Sequence, residues 1–249
     1  MFDFRRFVGS LGAVILFAAV MAAQNPSAGR YDNAIQDKVT NELSAKKQFQ
    51  SVRASVEDGI VTLTGTVDLY QDKLDAAKKA KKVEHASGVR NLIEVAGPTV
   101  SDAQLASKLA EKLRYDRVGY DHMFNYFTLD VKNGTVTLGG ETLNEVGRDS
   151  ALSLVQRMAG VKDVVSNVTL SPVSIFDDGL RVRTARLLYR DPVLSKYAVD
   201  PQRPIRIIVD RGTVSLYGTV QSTMDKQVAG IRANQVFGAF RVENHLTVD

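Results

Sequence analysis

Apolar and polar positions alternate in short runs that return three times along the 249-residue chain. The strings "GIVTLTGTV" from Gly59, "GTVTLGGET" from Gly134 and "GTVSLYGTV" from Gly212 are nearly the same. Aligned on their first glycine they lie 75 and 78 residues apart, a period the size of one small domain. Val56, Val131 and Val209 stand three positions before that glycine, and Val61, Val136 and Val214 two after it. Leu63, Leu138 and Leu216 follow at four, then Gly65, Gly140 and Gly218 at six. Farther along each repeat comes a V-x-N: Val89/Asn91, Val165/Asn167 and Val242/Asn244.

Asp58-Gly59 and Asn133-Gly134 sit between two alternating runs, and such pairs favour two-residue turns with positive φ that match the twist of paired strands. Each repeat is therefore read as a β-hairpin, with Arg211-Gly212 as a weaker turn signal. The turn sets the register, because side chains alternate along a strand. Val56 faces Val61, Ala54 faces Leu63 and Val52 faces Gly65. The second repeat pairs Val131/Val136, Leu129/Leu138 and Phe127/Gly140; the third pairs Val209/Val214, Ile207/Leu216 and Ile205/Gly218. The second glycine thus falls on the buried face, where a side chain is expected to collide with its apolar partner and a helix above. Gly59, Gly65, Gly134, Gly140, Gly212 and Gly218 are read as turn and packing positions. A phosphate cradle would instead open directly onto a helix N-terminus.

Periodicity near 3.6 predicts a helix on either side of every hairpin. Before it, Ile35, Val39 and Leu43 mark the first repeat, Leu105, Leu109 and Leu113 the second, and Leu180, Leu187 and Leu188 the third. After it, helices are expected over 69–83, 145–158 and 223–236, with Asp68, Asn144 and Ser222 as N-caps and Ser222-x-x-Asp225 as a capping box. Final strands follow over 89–95, 164–170 and 241–248. The expected fold is α+β: three tandem α-β-β-α-β domains, each a small three-stranded sheet covered on one face by two helices. The expected boundaries are 32–98, 99–172 and 173–249.

The first residues concern compartment. Arg5 and Arg6 precede an apolar stretch that ends in small residues, and Val20-Met21-Ala22 or Met21-Ala22-Ala23 fits a signal-peptidase site. From Phe7 to Ala23 the run is 17 residues, short of the roughly 20 that span a bilayer. Residues 1–23 are read as a cleaved signal peptide, with an uncleaved membrane anchor as the alternative, and 24–31 as a linker. Without 1–23, 30 basic and 27 acidic residues remain, a net charge of +3. That balance is too mild to imply nucleic acid.

Helix, strand, "nGxVxLxGxV", helix and then "GVxxVxNxL" together resemble the BON domain family, named for an osmotically induced periplasmic protein and nodulation proteins. The likeness covers essentially the whole mature chain in three copies. Gly160-Val161 and Gly238-Ala239 precede the final strand in two of them, whereas Glu84 or His85 takes that slot in the first. The resemblance implies a periplasmic or cell-envelope location, binding to phospholipid surfaces or envelope proteins, and no catalysis.

The residues themselves offer little chemistry. With no cysteine, thiol catalysis, disulfides and zinc–thiolate sites are excluded. His85, His122 and His245 occupy non-equivalent positions without metal-ligand spacing. No catalytic residue, metal site, cofactor or small-molecule substrate is expected. The aromatics of "RYDRVGYDHMFNYF" (Tyr115, Tyr120, Phe124, Tyr126 and Phe127) suit either a membrane, peptide or glycan contact or simple packing. Phe127, by register, and Phe124 are expected to join the second repeat's own core.

Charge separates the repeats. Residues 31–98 carry 10 basic and 10 acidic side chains, 99–172 carry 8 and 9, and 173–249 carry 11 and 8, nine of those eleven being arginine. Arginine's fork binds phosphate bidentately. On the helix "IFDDGLRVRTARLLYRDP", Arg183, Arg186 and Arg190 form one stripe beside an apolar arc of Phe176, Leu180, Leu187 and Leu188, with Arg181 at its far edge. Arg181, Arg183, Arg186 and Arg190 are therefore the candidate contacts to anionic phospholipid headgroups. The expected mode is electrostatic docking rather than deep insertion. The alternative partner is an envelope protein, with the chain acting as a scaffold or chaperone-like adaptor.

Overall fold

A computed structural model describes residues 29–115, 122–200 and 203–249; the expected signal peptide lies outside them. The first repeat runs α1 (Asp32–Ser44), β1 (Arg53–Glu57), β2 (Ile60–Thr64), β3 (Thr66–Val67), α2 (Tyr70–Lys81), β4 (Gly88–Asn91) and β5 (Glu94–Val95). The second runs α3 (Asp102–Tyr115), β6 (Tyr126–Lys132), β7 (Thr135–Thr142), α4 (Glu145–Gln156) and β8 (Asp163–Leu170). The third runs α5 (Ile175–Tyr189), α6 (Lys196–Val199), β9 (Arg206–Asp210), β10 (Thr213–Tyr217), β11 (Thr219–Val220), α7 (Thr223–Asn234), β12 (Arg241–Asn244) and β13 (Thr247–Val248).

The hairpins have the register that their turns dictate: Val56 pairs with Val61, Leu129 with Leu138 and Ile207 with Leu216. Both turn residues have positive φ in every repeat, at 51° and 75°, 53° and 76°, and 45° and 78°. The second hairpin strand is central in each three-stranded sheet, and the strand after the second helix joins its other edge in parallel. The helix between them is thus the crossover of a βαβ unit, which a parallel pair requires. β3 with β5 and β11 with β13 form separate two-stranded parallel pairs. Each helix pair closes one face over a small core: Ile35, Val39, Leu43, Val61 and Leu63 in the first repeat, Leu105, Leu109, Val136 and Leu138 in the second. The third core is built around Leu180, Leu188, Ile207, Val214 and Leu216.

Three local expectations change. The glycine six residues into each motif is needed for its backbone. Gly65, Gly140 and Gly218 have φ of 108°, 109° and 125°. A Cβ on Gly140 would lie 2.0 Å from the carbonyl oxygen of Tyr126, and one on Gly65 equally close to that of Ser51. The obstacle is the neighbouring strand's backbone, not the helix above. Asp68 does not cap α2, whose N-cap is Leu69 with no side-chain bond. Asn144 and Ser222 do cap, accepting from the Gly147 and Asp225 amides. Asp225 does not return the bond to close a capping box; its carboxylate accepts from the Tyr197 hydroxyl at 2.6 Å and lies 2.9 Å from Lys196 Nζ.

The V-x-N of the second repeat is displaced by one residue. Val89 and Val242 sit beside Val61 and Val214, but Val164, not Val165, sits beside Val136. Asn91 and Asn244 donate to the carbonyls of Lys73 and Lys226 at 2.7 Å, each tying its strand to the crossover helix. Asn167 points away, exposed, and β8 continues unbroken through it.

Candidate functional site

One device recurs at the same end of all three repeats. An aspartate in the first turn of the first helix accepts both amide hydrogens of the hairpin turn. Asp32 takes those of Asp58 and Gly59 at 2.9 and 2.8 Å, and Asp102 those of Asn133 and Gly134 at 2.7 and 2.9 Å. Asp177 takes those of Arg211 and Gly212 at 3.1 and 2.9 Å, the latter bond buried. These charge-assisted bonds lock each helix's rotation against its hairpin. Sequence reasoning missed these aspartates, although each stands three residues before the first apolar stripe position, Ile35, Leu105 or Leu180.

In the third repeat this lock decides which side of α5 faces out. The buried residues are Asp177, Leu180, Arg181, Thr184 and Leu188, a face rotated from the apolar arc read in the sequence. Arg181 is consequently inside, 2% exposed. It donates to Asp178 at 2.6 Å and to the carbonyl of Val209 at 2.7 Å. Its two terminal nitrogens are held within the repeat while Nε is buried without a partner, so the group cannot reach a headgroup, a correction to the candidate set. Arg183, Arg186 and Arg190 lie on the exposed side, and Phe176 joins them there, 47% exposed. Among the described residues, no carboxylate pairs with any of these three arginines within 4.0 Å.

The aromatic run of the second repeat is used in a joint. Phe127 packs in its own core, whereas Phe124 packs against the core of the third repeat, contrary to expectation. Tyr126 stacks on Tyr217 with centroids 4.0 Å apart, and Tyr217 in turn stacks on His245 at 4.9 Å. Arg206 donates to the Asn125 carbonyl across the same seam. Tyr120 and the side chain of Tyr115 fall outside the described residues. A cleft of about 220 Å³ beside this seam is lined by Arg114, Arg203, Arg206, Thr219 and Asp249, and Asp249 pairs with Arg203 at 2.8 Å.

His85 stacks on Tyr31 at 4.0 Å and holds φ at 68°, where Gly160 and Gly238 stand in the other repeats. His245 lies 3.2 Å from Glu243. Among the described residues no group of three or more acidic or histidine side chains is placed to hold a metal ion. No helix among them is long and apolar enough to cross a membrane.

Three α+β modules, joined through side chains and presenting one arginine-rich helix face, define a tandem-repeat protein. Its family follows from comparison. The model of the BON domain matches residues 31–97, 101–172 and 192–249, and the chain belongs to the BON family. The third match begins after α5, yet α5 packs on β9 as α1 and α3 pack on β1 and β6. An uncharacterised protein in the gshII 5′ region of Anaplasma centrale is 28% identical over 142 residues, covering 56% of this chain and 94% of that protein. A structural protein of the type III secretion system of Chlamydia trachomatis, CdsD, aligns at 13% identity and a TM-score of 0.24, over 86% of this chain and 91% of that one. The periplasmic domain of PrgH from S. typhimurium aligns at 9% identity and 0.20, over 84% and 100%.

Proposed function

We propose that this chain is an exported, non-enzymatic envelope protein that docks peripherally on anionic phospholipid through its third repeat. The observation that carries this reading is the face of α5, where Arg183, Arg186 and Arg190 are exposed together without a facing carboxylate among the described residues. Guanidinium groups left free in this way are available to phosphate oxygens. BON membership supports the same direction, since BON domains are associated with phospholipid surfaces. The envelope location and the residues 1–23 signal belong to this proposal.

Each basic residue near an anionic surface contributes about 1 kcal/mol, screened over about 8 Å at physiological salt. Removing three lowers affinity by at most about a hundredfold. The test is sedimentation with phosphatidylglycerol-containing vesicles, compared with phosphatidylcholine alone. Wild type is expected to sediment with the anionic vesicles at low salt and less as salt rises. R183E/R186E/R190E is expected to remain folded by circular dichroism and stay in solution. A folded triple variant that sediments undiminished would remove this face from the account. A wild type that ignores anionic vesicles would leave the envelope-protein partner.

A further inference from the structure

Three turns of the third repeat converge at one end: the first turn of α5, the hairpin turn Arg211-Gly212, and the turn between α7 and β12. The first and last of these place phenylalanines in solvent. Phe176, Phe237 and Phe240 are 47%, 89% and 80% exposed, and the rings of Phe176 and Phe240 stack with centroids 6.0 Å apart. Phe240 lies across Gly212, where a Cβ would be 2.4 Å from its ring. Gly238 lies beneath Phe176 and Arg183, whose atoms would be 3.4 and 3.3 Å from a Cβ there. The aromatic tip therefore rests on glycines.

The fold does not ask for these rings. The slots are equivalent across repeats because the same bonds define them: the residue before the turn-locking aspartate, and the residue whose amide donates to the turn glycine's carbonyl. Phe176 corresponds to Tyr31 and Ser101, Phe237 to Glu84 and Ala159, and Phe240 to Ser87 and Lys162. Only the third repeat fills all three slots with phenylalanine. Clustered exposed apolar side chains of this kind mark an interaction surface.

Its border selects the occupant. Arg183 lies with Phe176 over Gly238, and Arg211 and Arg241 adjoin Gly212 and Phe240 in the chain, with Arg211 88% and Arg241 72% exposed at the side chain. Asp178, two residues past Phe176 and 56% exposed, is bound to Arg181 at 2.6 Å. Asp210 and Glu243 pair with Arg211 and Arg241 at 3.2 and 3.0 Å, while Arg183 stays without a carboxylate partner among the described residues and Arg186 and Arg190 extend the charge along α5. Arg211 holds φ at 45°, where the other repeats place Asp58 and Asn133, residues that tolerate that region far better. A protruding apolar tip with an arginine border matches a lipid interface, where rings enter the headgroup–acyl boundary and guanidinium groups stay at phosphate level.

Resting on the lipid reading above, we infer that Phe176, Phe237 and Phe240 insert into an anionic bilayer surface, so that docking is tip-first and partly hydrophobic. This departs from purely electrostatic docking: part of the binding survives salt. The chain has no tryptophan, so Phe237→Trp introduces a single fluorophore at the tip. In the full chain with phosphatidylglycerol-containing vesicles, the indole emission of that variant is expected to shift to the blue and to be quenched by lipids brominated near the top of the acyl chains. F237S/F240S is expected to lower vesicle affinity tenfold or more, with unchanged circular dichroism because both rings are exposed. Sedimentation of the Phe237→Trp variant with unshifted indole emission overturns insertion and leaves electrostatic docking standing. No sedimentation overturns both. A blue shift that follows protein concentration without vesicles identifies a second copy of the chain as the occupant and overturns the lipid assignment.

Discussion

Gly140 and Gly218 hold the same motif position in different surroundings. A Cβ on Gly140 would meet the Tyr126 carbonyl oxygen at 2.0 Å, whereas one on Gly218 would be 3.0 Å from that of Pro204. Both also have positive φ, which costs a non-glycine residue about 1–3 kcal/mol. Gly140→Ala is therefore expected to lower the second repeat's melting temperature further than Gly218→Ala lowers the third's, as circular-dichroism melts of the full chain would resolve. Equal losses would mean that φ strain, not the carbonyl contact, dominates. The turn-locking aspartates rank in the same way. Asp177→Ala leaves the buried Gly212 amide without its acceptor, which costs about 1–3 kcal/mol. Asp32→Ala frees only exposed or half-buried amides and is expected to cost less in the same melts.

Among the elements, α6 and α7 meet at one buried carboxylate. Burial alone would raise the Asp225 carboxyl, but hydrogen bonds from Tyr197 and Lys196 outweigh it and hold it below the usual carboxylate range. A carboxyl lowered on folding stabilises above its unfolded value, about 3.9, and that contribution disappears as pH falls through the folded value. Burial, then the bond to Asp225, push the Tyr197 phenol up to about 12. A phenol raised on folding contributes fully below its ordinary value of 10.0 and loses that contribution as pH rises toward about 12. The third repeat is thus expected to lose stability at both ends of the pH scale. Y197F should flatten the alkaline loss in a pH series of thermal melts, and D225N the acid loss. Burial likewise raises the Tyr189 phenol, so Y197F leaves part of the alkaline arm in place.

At the scale of the whole molecule, the repeats complete one another. Tyr70 of α2 packs against the second repeat's core, and Phe124 of the second against the third's. β9 is buried even at Ile208, on the face away from its own helices, and the turn His122–Phe124 lies against that strand. Phe124→Ala is therefore expected to destabilise the third repeat rather than the second. With the ring only partly buried, the loss should be about half of the roughly 3–5 kcal/mol typical of a core phenylalanine. Hydrogen exchange resolved by peptide checks this: faster exchange confined to β6 and β7 would refute the joint.

Each repeat's hairpin, its register and its two helices were legible in the sequence, because two-residue turns and the periods of strand and helix are local properties of the chain. The BON family was legible as a resemblance, carried by the string "nGxVxLxGxV" returning at intervals of 75 and 78 residues and by "GVxxVxNxL" farther along. The strand order, with the second hairpin strand central, was not, since a parallel partner arrives from about thirty residues away and leaves no mark on the motif. The arginine candidates divide along the same line. A helical wheel put Arg183, Arg186 and Arg190 on one stripe, but the rotation of α5 is set by Asp177 reaching the Arg211 and Gly212 amides, and that long-range bond carried Arg181 inside. Likewise, three phenylalanines separated by up to sixty-four residues become one surface only when three turns meet at the same end of a sheet, which tertiary packing alone decides.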